Sequence, residues 1–361
     1  MKHGTTVFVQ VVLFVLFAVF LVVVGYCGVW QAGEIGMAVA FACCIILSLV
    51  VVPAMHEGGH LLFGKLVGFR LTGIQFSFLS FVKTEDGIAF RFVNPFSGDA
   101  AGECTMYPSD GKNMKNRLLL YACGGIIVQA VFLVICLPIV IAVGERWLWS
   151  TLGAFLPYSA YLLVVNALPL YDSAGEFDGA LIWGLQQKKP SAMTLLYMMT
   201  VQGYMAEGMT PGEIEQKYYY SLPQLPEDDP NFSLLQYYRY CYRLDRGEIP
   251  AAVKSITRLE VCLDDIPEAY LPTIQRELLF SYSFLEKDEG KADEYYALVE
   301  ARKESYMEAD GLRALLAYHL LKKDTESAKE AFGGLKAAIT KIRSDGVKKF
   351  EKNLFMMICG K

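Results

Sequence analysis

Four long apolar runs fill the first half of the chain. Val7 to Val24 is almost unbroken valine, phenylalanine and leucine. Gly36 to Met55 follows, and its helical pattern continues through Leu61-Leu62-Phe63. Leu118 to Val143 and Trp147 to Leu170 complete the set. Each is long enough to cross, as a helix, a hydrocarbon layer of about 30 Å. Trp147 and Trp149 open the fourth run as interfacial anchors. Between the second and third runs the period changes to two: Ile74-Gln75-Phe76-Ser77-Phe78 alternates, and so does Phe90-Arg91-Phe92. Thr84-Glu85-Asp86-Gly87 between them is a turn signal, so this loop predicts a β-hairpin with one apolar face at the membrane surface. Pro53 predicts either a kink in the second helix or its end.

From Lys188 the character changes. Met193 to Met209 is an amphipathic surface or docking helix by its pattern, and Pro211, Pro223, Pro226 and Pro230 punctuate a linker. Beyond it three stretches echo one another: Tyr240-Cys241-Tyr242-Arg243-Leu244, Tyr282-Ser283-Phe284-Leu285 and Tyr318-His319-Leu320-Leu321. Their spacing of roughly 36 to 40 residues is close to that of tetratricopeptide-like helix pairs. The chain therefore reads as an α-helical polytopic membrane protein with about four spans and a membrane-associated β-hairpin, followed by an all-α helical-repeat soluble domain. The boundaries are residues 1–186 for the membrane domain, 187–232 for the amphipathic helix and linker, and 233–361 for the cytoplasmic helical domain.

Composition agrees with this division. At 54% hydrophobic the chain is too apolar for an ordinary soluble protein, and at 20% charged it is too polar to lie wholly in a bilayer. A net charge of −5 leaves no electrostatic footprint for nucleic acid. The 9 cysteines are odd in number and scattered, with no C-x-x-C pair, which fits a reducing compartment for the soluble part. Basic residues concentrate between the second and third spans (Lys65, Arg70, Lys83, Arg91, Lys112, Lys115, Arg117) and after the fourth (Lys188, Lys189). The positive-inside rule then makes both termini cytoplasmic.

The candidate chemistry sits at the end of the second run. His56-Glu57-Gly58-Gly59-His60 is an H-E-x-x-H pattern in a chain with only 4 histidines. Residues four apart share a helix face, so two neutral imidazoles can bind one metal ion, with Glu57 beside the open position as a general base. A catalytic zinc takes three protein ligands. His3 and His319 lie at the far ends of the chain, which points to a carboxylate as the third. Asp172, Glu176 and Asp178, just after the fourth run, are the candidates on the same side of the membrane, and Glu85 or Glu103 are rivals downstream of the motif. Gly124-Gly125 in the third run permits close helix approach, and Gln129 one turn on is a polar group that needs a partner inside the bilayer.

These motifs together resemble the site-2 protease family of intramembrane zinc metalloproteases, over about Gly36 to Leu185. The resemblance implies that His56 and His60 are zinc ligands, Glu57 the general base, and Asp178, followed by Gly179, the carboxylate ligand. Asn166 and Pro169 match the start of the family's Asn-Pro-Asp-Gly region, which implies a substrate contact for Asn166. The gap from Pro169 to Asp178 is longer than in the common family pattern, which keeps Asp172 open as a ligand. The third run reads Gly124-Gly125 where the family often has Gly-Pro and a nearby Asn, so no role carries over there. The activity implied is metal-assisted hydrolysis of membrane-anchored proteins or peptides in a bacterial cell membrane, with the helical tail recruiting substrate or a regulator. The alternative from another class is a non-catalytic membrane scaffold that presents a helical-repeat binding domain.

Overall fold

The computed structural model describes residues 3–30, 34–83, 87–94, 102–171, 176–222, 224–227, 229–266, 268, 270–302 and 308–360. It divides into two compact units, Met1–Tyr107 with Asn113–Lys188, and Pro108–Lys112 with Lys189–Lys361.

In the first unit, α1 (His3–Gly25) ends in a π-helical turn, Tyr26–Trp30. Then come α2 (Ile35–Leu66), strands β1 (Phe69–Phe76), β2 (Leu79–Lys83), β3 (Ile88–Phe92) and β4 (Gly102–Pro108), and α3 (Met114–Val143). The short α4 (Arg146–Ser150), a 3-10 turn at Leu152–Phe155, α5 (Leu156–Ala167) and α6 (Asp178–Gln186) follow. Four segments are long and apolar enough to cross a membrane: Val7–Trp30, Ile35–Leu66, Met114–Val143 and Arg146–Ala167. They coincide with the four apolar runs, but the fourth is broken. It interrupts at Thr151 and restarts with Pro157 in the first turn of α5, where a missing N–H costs nothing.

Helix α2 continues through Pro53, so the proline does not end it. A proline in a helix frees the carbonyl four residues earlier. Here that carbonyl is Leu49 O, and the Ser77 hydroxyl donates to it at 2.6 Å. Ser77 sits at φ 55° in the turn between β1 and β2, so the helix defect becomes an attachment point for the sheet.

The sheet corrects the expected hairpin. Its order is β3-β2-β1-β4, with β1–β2 and β2–β3 antiparallel. The two alternating segments are not partners, because β2 lies between them: Ile74 faces Phe81 and Phe81 faces Phe90. Three phenylalanines stack across these strands, with ring centroids 5.9 Å apart for Phe76–Phe81 and 5.2 Å for Phe81–Phe90. Of the expected turn, Thr84, Glu85 and Asp86 lie outside the described residues.

In the second unit, α7 (Pro190–Ala206) is followed by α8 (Lys217–Tyr220), α9 (Pro230–Asp245), α10 (Ile249–Val261), α11 (Leu271–Phe280), α12 (Glu289–Glu300), α13 (Ala309–Leu321), α14 (Thr325–Lys341) and α15 (Asp345–Ile358). Residues 187–232 are expected as an amphipathic surface or docking helix and a linker, and α7 packs inward: Met198, Val201 and Met205 are buried in one cluster with Ile214, Tyr219, Leu235 and Leu278. Its Gly203 lies so close to the Asp110 carbonyl that a methyl group would not fit, which is how the Pro108–Lys112 segment comes to belong to this unit.

The three sequence echoes mark a repeated turn. Gly247, Lys287 and Lys323 all adopt positive φ (71°, 60° and 59°). Each is followed by an acidic residue that opens the next helix, Glu248, Asp288 and Asp324. Asp288 and Asp324 accept the N–H of Lys291 and Ser327, satisfying donors a helix start leaves open. The result is three successive helix pairs, α9–α10, α11–α12 and α13–α14, with α11 also packed on α13.

Candidate metal centre

Helix α2 carries His56 and His60 one turn apart, and its close packing on α3 positions both rings. At the crossing the backbones meet: a methyl group on Gly59 would fall 2.5 Å from Gly124 O, and one on Gly124 would fall 2.6 Å from Gly59 O. The next residue, Gly125, leaves the space that the His56 imidazole fills. Small residues at this crossing are what permit such approach between apolar helices.

Each imidazole is held from behind through Nδ1. His60 Nδ1 donates to Tyr121 O at 2.8 Å, and His56 Nδ1 donates to Gln129 Oε1 at 3.2 Å. A carbonyl oxygen only accepts, so Nδ1 is the donor in both bonds and each Nε2 faces the centre of the site. The two Nε2 atoms lie 3.2 Å apart. Asp178 Oδ2, from the first residue of α6, completes a triangle at 3.0 Å from His56 Nε2 and 3.2 Å from His60 Nε2. Asp178 reaches this point because Gly179 lets α6 start directly against the Ala167 carbonyl at the end of α5.

Two imidazole Nε2 atoms and a carboxylate oxygen converge here within hydrogen-bond distance of one another, so the set holds either shared protons or, in their place, a cation. A tetrahedral zinc with bonds of about 2.0–2.1 Å separates its ligands by about 3.3 Å, which the triangle matches. The Nδ1 hydrogen bonds are the outer partners that fix a ligand histidine's tautomer and ring orientation. The residues present therefore fit a zinc ion. Burial works against ionisation of Asp178, but the facing imidazoles outweigh it and hold the carboxyl below the usual aspartate value of 3.8.

Glu57, buried at 6% exposure, lies against the start of β4, where a methyl group on Gly102 would fall 2.5 Å from Glu57 Oε1. On the same strand the Cys104 thiol is pushed up to about 12, by burial first and then by the charges of Glu57 and Glu103. The Cys104 carbonyl accepts from the Tyr121 hydroxyl, which ties β4 to α3.

Among the described acidic candidates, Asp178 is brought to the histidines. Glu103 is exposed and accepts from the Thr105 hydroxyl, outside the cluster; Glu176 also lies outside it, paired through its backbone with Tyr171. Asp172 and Glu85 lie outside the described residues. Asn166 is not drawn into the cluster: its Nδ2 donates at 2.9 Å to Leu162 O, four residues back on α5. Gln129 and Tyr121 are the residues that sequence reasoning did not assign. Gln129 was detectable as a lone amide in an apolar run; the Tyr121 carbonyl carries no sequence signal.

Comparison with protein-family models, with curated proteins and with solved structures finds no match.

Proposed function

We propose that this protein is an intramembrane zinc metalloprotease of the site-2 protease type. The observation that carries the reading is the convergence of His56 Nε2, His60 Nε2 and Asp178 Oδ2 beside the buried Glu57 carboxylate, with the histidines and Glu57 on a helix apolar enough to span a bilayer. Zinc at that position would supply Lewis acidity toward a peptide carbonyl and toward water.

The chain's own groups supply the rest. Glu57 takes a proton from the attacking water and returns it to the leaving amine nitrogen. His60 sits six residues before the end of α2, about 9 Å along the axis, a depth that water reaches from the cytoplasmic face. β4 is an outer strand of the sheet and begins at Glu57, so an extended peptide added to that edge would pass the general base. Helices resist proteolysis until unwound, and strand addition would hold the substrate extended. In this reading both termini are cytoplasmic, the substrate is a membrane-anchored protein or peptide, and the helical unit recruits it or a regulator.

The test compares membrane fractions from cells carrying wild type and Glu57→Gln, with mass spectrometry of single-span proteins and zinc analysis of the purified proteins. A membrane-anchored species that accumulates only in the variant supports the protease and names its substrate. Wild type that binds no zinc sinks the catalytic reading and leaves the scaffold.

A further inference from the structure

In the second unit, arginines in contact with acidic side chains are closed by them. Arg313 is fully buried between Glu277 and Glu351, at 2.7 and 2.9 Å. Arg276 is closed by Asp310 at 2.8 Å and Glu308 at 3.2 Å. Arg239 and Arg243 break this pattern.

They lie four apart on α9, both half-buried, and both guanidiniums lie over the Tyr220 ring, 5.1 and 5.2 Å from its centroid. Each is oriented through Nε alone: Arg239 donates to Tyr219 O at 2.8 Å and Arg243 to the Tyr220 hydroxyl at 2.6 Å. Among the described residues no carboxylate meets either group. Among the described acids nearby in sequence, Glu215 pairs with Lys217, Glu248 with Arg246, and Asp245 with Gly212 N and Asn353. Burial, with the neighbouring Arg243 charge, holds the Arg239 guanidinium below its usual basicity. Two like charges thus gather around one ring, partly out of water, and among the described residues neither guanidinium has a carboxylate partner.

From this arrangement we infer that Arg239 and Arg243 form a phosphate-binding site, taking a phosphate ester whose oxygens are shared between the two guanidiniums. A guanidinium fork matches phosphate oxygens in a bidentate manner. Fixing each Nε to the protein in advance leaves the paired terminal nitrogens to the ligand, and stacking on Tyr220 removes much of the side-chain entropy that binding would otherwise cost. The phosphate can come from a soluble ester or from a lipid headgroup. The inference does not depend on the protease reading.

The test titrates the full-length protein in detergent with inorganic phosphate by calorimetry, beside an Arg239→Gln/Arg243→Gln variant and an Arg239→Lys/Arg243→Lys variant. Wild type is expected to bind saturably, and the glutamine variant about tenfold or more weaker. The lysine variant should also weaken, because it keeps charge but loses the fork. A second arm uses dioctanoyl phosphatidic acid: binding tighter than phosphate and competed by it assigns a headgroup, whereas equal or weaker binding assigns a soluble ester. Circular dichroism checks folding, and Arg243→Gln alone replaces the double variant if that unfolds. Binding of neither probe by folded wild type, or binding unchanged in a folded glutamine variant, overturns the site.

Discussion

The molecule contains two buried polar clusters that look alike in composition and differ in charge balance. In the helical unit, Arg313 donates through Nε, Nη1 and Nη2 to the carboxylates of Glu277 and Glu351, and the Tyr240 hydroxyl donates to Glu277. Donors and acceptors alternate, so the cluster is closed by the chain's own groups. At the crossing of α2 and α3 the Nδ1 donors point outward, to Tyr121 O and Gln129 Oε1, and two Nε2 atoms and a carboxylate oxygen point inward at one another. The first arrangement is closed by the chain itself. The second is a donor set that could hold a metal ion. Burial alone does not separate the two; the direction in which the donor and acceptor atoms face does.

Substitutions can sharpen this contrast. The largest effect is expected at Glu57, where Glu57→Gln should lower turnover by about 10²- to 10⁴-fold while zinc content is retained. Asp178→Ala, by contrast, should empty the site; plasma mass spectrometry of both purified variants distinguishes them. Zinc retained in Asp178→Ala would show that the third ligand lies elsewhere. Next, Arg313→Met leaves Glu277 and Glu351 buried without their counter-charge and should destabilise the helical unit by about 3–5 kcal/mol, read from denaturant unfolding. A loss under 1 kcal/mol would mean that water already reaches that cluster.

Gln129→Leu keeps the shape of the α3 face but removes the acceptor for His56. Zinc affinity should fall by about 10- to 100-fold, measured by competition with a chelating dye, while the helical content is unchanged. The smallest effect concerns pH. Burial holds the Glu351 carboxyl above its ordinary value of 4.5, against the pull of Arg313. The folded chain therefore keeps a proton that the unfolded chain has released. Stability from this group is greatest below pH 4.5 and falls as pH rises through the raised value. The difference in unfolding midpoint between wild type and Glu351→Gln should shrink as pH is lowered; a difference independent of pH would mean that Glu351 titrates normally.

Much of the fold was legible because long apolar helices carry their own signal. Three of the four apolar runs form unbroken helices and the fourth is interrupted at Thr151, while i, i+4 spacing put His56 and His60 on one face. The helix pairs of the second unit were visible through Tyr240, Tyr282 and Tyr318, because the same turn recurs after each. Other features were hidden for identifiable reasons. Alternation marked Ile74–Phe78 and Phe90–Phe92 as strands, but period two says nothing about which strand lies between them. The prolines after α7 read as a linker, although Ile214 and Tyr219 among them are core residues. Asn166 matched a family position, and the structure places it on α5 with its Nδ2 donating to Leu162 O.

By itself the sequence determined the apolar helices, the pair of histidines with a glutamate between them, and the change to a repeating helical domain. These depend on local periodicity, which the chain carries without reference to distant residues. Tertiary structure alone decided which carboxylate meets the histidines. His56 and Asp178 are 122 residues apart, and only the contact of Gly59 with Gly124 and of Gly179 with Ala167 brings them within reach. It also decided the direction in which the imidazole Nε2 atoms face, because the carbonyl and amide oxygens that hold the imidazoles from behind come from a different helix.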